Sequence, residues 1–167
     1  MVELGCGVAL PGLLAARLGC DTTLTDVPPL VLHNARASAA LNNIACRVVA
    51  LKWGEFNEGL FDLATQDKPP DILLGSDCFY DSKAFDDLLF TISYFFDQNP
   101  ACVFVTTYQE RNVDRSLWHL TLKWGISLKE ILAPDVDLET PAEGMLDPEA
   151  VGESSVHLLV LSRTAGA

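Results

Sequence analysis

The stretch that most constrains this chain is its beginning, Met1 to Gly12, MVELGCGVALPG. Val2 and Leu4 read as the end of a buried strand, Gly5 and Gly7 as a tight turn, and Pro11 as the start of a helix. Glycines let the backbone turn sharply and let a ligand come close without a side chain in the way. The free amides of a helix start favour electron-rich ligand atoms. Strand, glycine turn and helix, in that order, open a nucleotide-binding α/β domain.

Glycine spacing discriminates among nucleotides. A dinucleotide fingerprint, G-x-G-x-x-G/A, needs a small third residue where the pyrophosphate approaches the helix. Here that position is Leu10, and the next glycine is Gly12. An adenosyl-sulfonium ligand carries no phosphate and makes no such demand. The form Glu3-Leu4-Gly5-Cys6-Gly7 resembles the first motif of S-adenosylmethionine-dependent methyltransferases. Taken alone, G-x-G also reads as a strand-to-helix turn with no ligand.

Downstream, the hydrophobic pattern alternates between two periods. Helices are expected at Pro11 to Leu18, Pro28 to Asn42, Phe85 to Phe96 and Arg115 to Trp124. Strands are expected at Thr22 to Thr25, Cys46 to Leu51, Asp71 to Ser76, Ala101 to Thr107, Ile126 to Leu132 and Val156 to Ser162. In the second helix Leu30, Leu32, Ala35, Ala39 and Leu41 are the expected inward positions, and Phe90, Tyr94 and Phe95 form a core stripe later on. Lys52 to Asp67 reads as a loop. Strands alternating with helices give a parallel sheet with right-handed crossovers. The last two strands have no helical pattern between them, and without one they pair antiparallel. Their connection, Ala133 to Ser155, holds seven acids, three prolines and no Lys or Arg. It is expected to be a mobile loop facing the substrate side or solvent. The expected fold is therefore α/β: a Rossmann-like, doubly wound sheet of seven strands ending in an antiparallel C-terminal hairpin, in a single domain spanning residues 1–167.

A net charge of −12 argues against a general nucleic-acid binder, which needs clustered cations for phosphates. It suits a basic protein partner drawn in by long-range attraction, and it also serves plain solubility. The five cysteines form no C-x-x-C and read as buried free thiols of a reducing compartment. His33, His119 and His157 stand singly, so no metal site is expected. Glu3 and the glycines are wrong for a signal peptide, and no stretch reaches the ~18–20 apolar residues of a membrane span. The expected location is the cytoplasm and nucleus, with no membrane partner.

Candidate site residues fall at strand ends. Asp26 closes the second strand, roughly twenty residues after the glycine turn, where an acid can accept hydrogen bonds from both ribose hydroxyls. It is equally placed to cap the helix that Pro28 opens. Trp53 follows the third strand and can stack on an adenine or serve as a core residue. Ser76-Asp77-Cys78-Phe79-Tyr80 closes the fourth strand, where substrate meets cofactor in such sheets. Asp77 can hold and orient a cationic nitrogen, with Tyr80 adding a hydrogen bond or a wall. Alternatively, Asp77 caps a turn and Tyr80 packs. Tyr108, after the fifth strand, lines a substrate channel or packs.

ELGCGVALPGLLAA, TLTD, LKWG, LLGSDCFYD, FDDLLFTISYFFDQNP, TTYQER and SLWHLTLKWG together resemble the seven-strand methyltransferases of the lysine-methyltransferase-like group. The resemblance covers essentially the whole chain. It implies S-adenosylmethionine as cofactor, with contacts from Gly5, Gly7, Asp26, Trp53 and Ser76, and Glu3 is counted with them as the acid that opens the motif. It implies a protein substrate, since the group often methylates lysine, while similarity to one member implies arginine on histone H3. No pair of glutamates in a hairpin, as used by well-known arginine methyltransferases, is present, so arginine and lysine both stay open. Small-molecule methylation, and a binding module that kept the fold, are the other readings. The family pattern also has helices before the first strand, with a further cofactor-contacting aromatic. Only Met1 to Leu4 precede the turn here, so the domain is expected to lack those helices.

Overall fold

The computed structural model describes residues 1–65, 67–109, 117–131 and 156–164. The acidic connection 133–155 thus lies outside the described residues. Five parallel strands come first: β1 (Val2–Leu4), β2 (Thr23–Asp26), β3 (Arg47–Ala50), β4 (Ile72–Ser76) and β5 (Val103–Gln109). Helices α1 (Leu10–Arg17), α2 (Pro29–Leu41), α3 (Glu58–Thr65) and α4 (Phe85–Gln98) connect them. Then follow α5 (Leu117–Lys123), β6 (Ile126–Ile131) and β7 (Val156–Arg163). The sheet order is β3-β2-β1-β4-β5-β7-β6. β7 runs antiparallel to both neighbours, so the expected hairpin is present, with its second strand inserted between β5 and β6.

Register determines which side chains face which helices. Val2 pairs with Leu73, and together with Leu4 these belong to the larger apolar cluster, which gathers α3, α4 and the β5–β7 strands. Glu3 pairs with Leu24 and points the other way, toward the smaller cluster of Cys6, Ala9, Leu13, Leu24, Ala35 and Ala39 under α1 and α2. The sheet is therefore covered by helices on both faces around β1 and β2.

Three expectations are corrected. Lys52 to Asp67 is not all loop, because α3 occupies Glu58–Thr65. Asn57 Oδ1 accepts from Leu60 N–H at 3.0 Å, and Leu60, Leu63 and Ala64 are buried at helical spacing. In α2, Leu32, Ala35 and Ala39 face inward, but Leu30 and Leu41 are 70% and 84% exposed. At about 100° of rotation per residue, Leu32, Ala35 and Ala39 share one face of the helix, while Leu30 and Leu41 fall on the opposite, outward face. Of the free cysteines, Cys6, Cys78 and Cys102 are buried, but Cys20 is exposed.

Candidate active site

In a parallel sheet the strands' C-terminal ends share one edge, and ligands collect where neighbouring connections diverge. Here that point lies between β1 and β4, whose connections lead to opposite faces of the sheet. The loops after β1, β2, β3 and β4 enclose a cleft of about 500 Å³ at this point, the size of a small-ligand pocket. Gly5, Gly7, Asp26, Trp53, Ser76, Asp77 and Tyr80 all line it.

The floor is the glycine turn. Gly5 has φ +64°, and a Cβ there would come within 2.7 Å of Trp53 Cζ2. The indole thus packs directly on the Gly5 backbone, which only glycine permits. Gly7, at φ +52°, has nothing within 4 Å of a Cβ position and faces open cleft. Its N–H donates to Asp26 Oδ2 at 2.9 Å, while Val27 N–H donates to Oδ1 at 2.7 Å. Two amides therefore aim the Asp26 carboxylate into the cleft, and each oxygen keeps a lone pair for a ligand hydroxyl. Asp26 does not cap α2, whose N-cap is Pro28 with no side-chain hydrogen bond.

The wall is the segment after β4, whose side chains diverge. Phe79 goes inward, edge-on to Phe85 at 5.2 Å, and the Cys78 thiol donates to Leu4 O at 3.1 Å. Asp77 and Tyr80 face the cleft, Tyr80 being 63% exposed. Asp77 sits at φ +54°, a left-handed conformation that Asp tolerates better than most non-glycine residues, and a neighbour holds it there. Thr107 does so, with its Oγ1 and its carbonyl accepting from Asp77 N–H at 3.0 and 3.2 Å. Burial, with the negative charges of Glu3, Asp77 and Asp26, pushes the Cys78 thiol up to about 12. It stays neutral and is no competing nucleophile in the cleft.

Two expected residues are not in the cleft. Glu3 is 1% exposed, beneath α1, where a Cβ on Gly12 would lie 2.2 Å from its Oε2. Strand alternation turns it to that face, so it supports the glycine turn from below. Tyr108 is 4% exposed, with ring contacts to Phe79, Trp118 and His157 at 6.3–6.4 Å. It shares its parity along β5 with buried Phe104 and Thr106, which turns it into the core. Conversely, Asp87 lines the cleft without having been anticipated, and the signal for it is Gly54: a Cβ there would lie 2.6 Å from the Asp87 carboxyl. No cluster able to hold a metal ion occurs among the described residues.

A family model described as "Lysine methyltransferase" matches residues 1–124. The chain belongs to the lysine methyltransferase family. As a member, it is an S-adenosylmethionine-dependent protein methyltransferase, and the cleft offers groups that suit such a cofactor: an aimed carboxylate, an indole and an open glycine lining one space. Histone-arginine methyltransferase METTL23 of Xenopus laevis is 36% identical over 165 residues, which cover 97% of this chain and 68% of the relative. Protein N-lysine methyltransferase METTL21A of Mus musculus is 34% identical over 107 residues, covering 59% and 44%. Among solved structures, a TehB-like SAM-dependent methyltransferase from Corynebacterium glutamicum shares the fold. Its TM-score is 0.67 at 15% identity, covering 98% of this chain and 79% of that one.

Proposed function

We propose that this family member transfers a methyl group to an arginine side chain of a basic protein, histone H3 being the first substrate to test. The carrying observation is the similarity to a histone-arginine methyltransferase along nearly the whole chain, where the lysine-specific relative aligns with little more than half. The bound cofactor supplies the activated methyl group. The chain's residues supply placement. Asp26 accepts from the ribose hydroxyls, Trp53 stacks on the adenine, and Gly5, Gly7 and Ser76 let the ligand lie close. Asp77 orients the target nitrogen, with Tyr80 beside it. A guanidinium stays protonated in water, so a carboxylate that both holds it and accepts its released proton suits arginine. The net charge of −12 draws a basic tail toward the cleft.

Lysine is the second reading, favoured by the family's own description. Recombinant histone H3, incubated with the chain and methyl-labelled cofactor and then mapped by mass spectrometry, separates the two. Label on arginine is expected. Label on lysine alone refutes the arginine reading, and cofactor binding without transfer to H3 or to any protein of a cell lysate points to a binding module.

A further inference from the structure

Asp87 lies in the first turn of α4 and lines the cleft on the side of Trp53. Gly54 (φ +76°) brings the loop after β3 so close that only a residue without a Cβ fits against the Asp87 carboxyl. Gly54 N–H donates to Thr91 Oγ1 at 3.0 Å, and that hydroxyl donates to Asp87 O at 3.1 Å. The Trp53–Gly54 corner and the first turn of α4 are thereby tied together, and the Asp87 carboxyl is held against Gly54, the residue that follows the indole.

Its neighbours leave it available. Asp86 is engaged elsewhere, accepting from Trp124 Nε1 at 3.1 Å and Lys123 Nζ at 3.4 Å. Lys52, the nearby cation, pairs with Glu55 and feels Asp87 only through a weaker, longer-range attraction. Among the described residues the Asp87 side chain makes no hydrogen bond of its own. An ionised carboxylate accepts and cannot donate. Held in the cleft that the Trp53 indole also lines, it welcomes an N–H on the edge of a ring stacked there and repels an oxygen.

We propose that Asp87 reads the base of the cofactor, accepting a hydrogen bond from the 6-amino group of adenine and rejecting 6-oxo purines. The proposal rests on Trp53 as the adenine platform. In the proposed function Asp77 and Tyr80 serve the methyl-accepting side, and Asp87 is assigned here to the base.

The test is calorimetric titration with S-adenosylhomocysteine and its 6-oxo analogue S-inosylhomocysteine, on the wild-type chain, Asp87→Asn and Asp87→Ala. Asp87 is exposed, so both variants should fold, and a melting curve checks this. The wild type should prefer the adenosyl ligand by about tenfold to a hundredfold, the worth of one charged hydrogen bond. Asparagine can accept from an amino group or donate to an oxo group, so Asp87→Asn should bring the two affinities to within roughly threefold. Asp87→Ala should bind the adenosyl ligand about tenfold or more weakly than the wild type. A preference that survives in both variants, with or without a change in melting temperature, overturns the proposal and leaves the cofactor site standing. A wild-type chain that binds neither ligand overturns both.

Discussion

Replacing Glu3 by Gln should flatten the pH dependence of folding. Glu3 is almost wholly buried, and its Oε2 has no partner among the described residues. Burial pushes its carboxyl up from 4.5 to about 7; the Gly12 amide partly opposes this and the charge of Asp26 adds to it. Between these two values the folded chain keeps a proton that the unfolded chain has released. The stability contributed by neutral Glu3 is therefore complete below pH 4.5 and lost progressively as pH rises to about 7. The full effect is at most ~3 kcal/mol, or roughly 6–12 °C in melting temperature for a domain of this size. Gln keeps an acceptor for Gly12 and cannot ionise. Its buried amide N–H adds a cost that is the same at every pH. Thermal melts of both proteins, followed by circular dichroism from pH 4.5 to 8, isolate the effect, since all other titrations are shared. The melting temperature of the wild type, relative to Glu3→Gln, should fall by several degrees up to about pH 7 and then level off. Parallel curves would show that Glu3 is ionised and partnered in the folded chain, and would refute the burial argument.

Gly5→Ala puts a Cβ 2.7 Å from Trp53 Cζ2 at a positive φ. It should displace the indole, shift its fluorescence and weaken cofactor binding by about tenfold or more, as loss of one stacking partner does. Asp77→Asn keeps a side chain that tolerates φ +54° and removes the charge. Single-turnover methylation should slow by about ten- to a hundredfold while cofactor affinity stays within roughly twofold; equal losses in both would move Asp77 into the cofactor site. Iodoacetamide should label exposed Cys20 and leave Cys78 untouched, because burial holds the Cys78 thiol neutral. Mass spectrometry of the native chain reads this directly.

Much of this fold was legible because strand and helix periods are local. The glycine turn, the strand-end positions of Asp26 and Asp77, and the last antiparallel pair all follow from short local patterns. What was missed depends on register and reach. Glu3 stands in the right motif, but a residue's face on a strand is fixed by its neighbours, and Leu24 assigns it to the α1 side. Tyr108 was legible in principle, since it lies an even number of residues from buried Phe104 along β5. α3 offers only Leu60, Leu63 and Ala64 as buried positions, too few to mark a helix among polar neighbours. Asp87 enters the cleft through a close approach of Gly54 that no single-segment pattern encodes.

The central claim is that Asp26, aimed by two backbone amides, anchors an adenosyl-sulfonium cofactor in this cleft. Its most direct test is the calorimetric dissociation constant of S-adenosylhomocysteine for the wild type and Asp26→Ala, with NAD titrated in parallel. The wild type should bind S-adenosylhomocysteine and not NAD, and Asp26→Ala should bind it about ten- to a hundredfold more weakly. An unchanged constant in Asp26→Ala, or tighter binding of NAD by the wild type, would contradict the account.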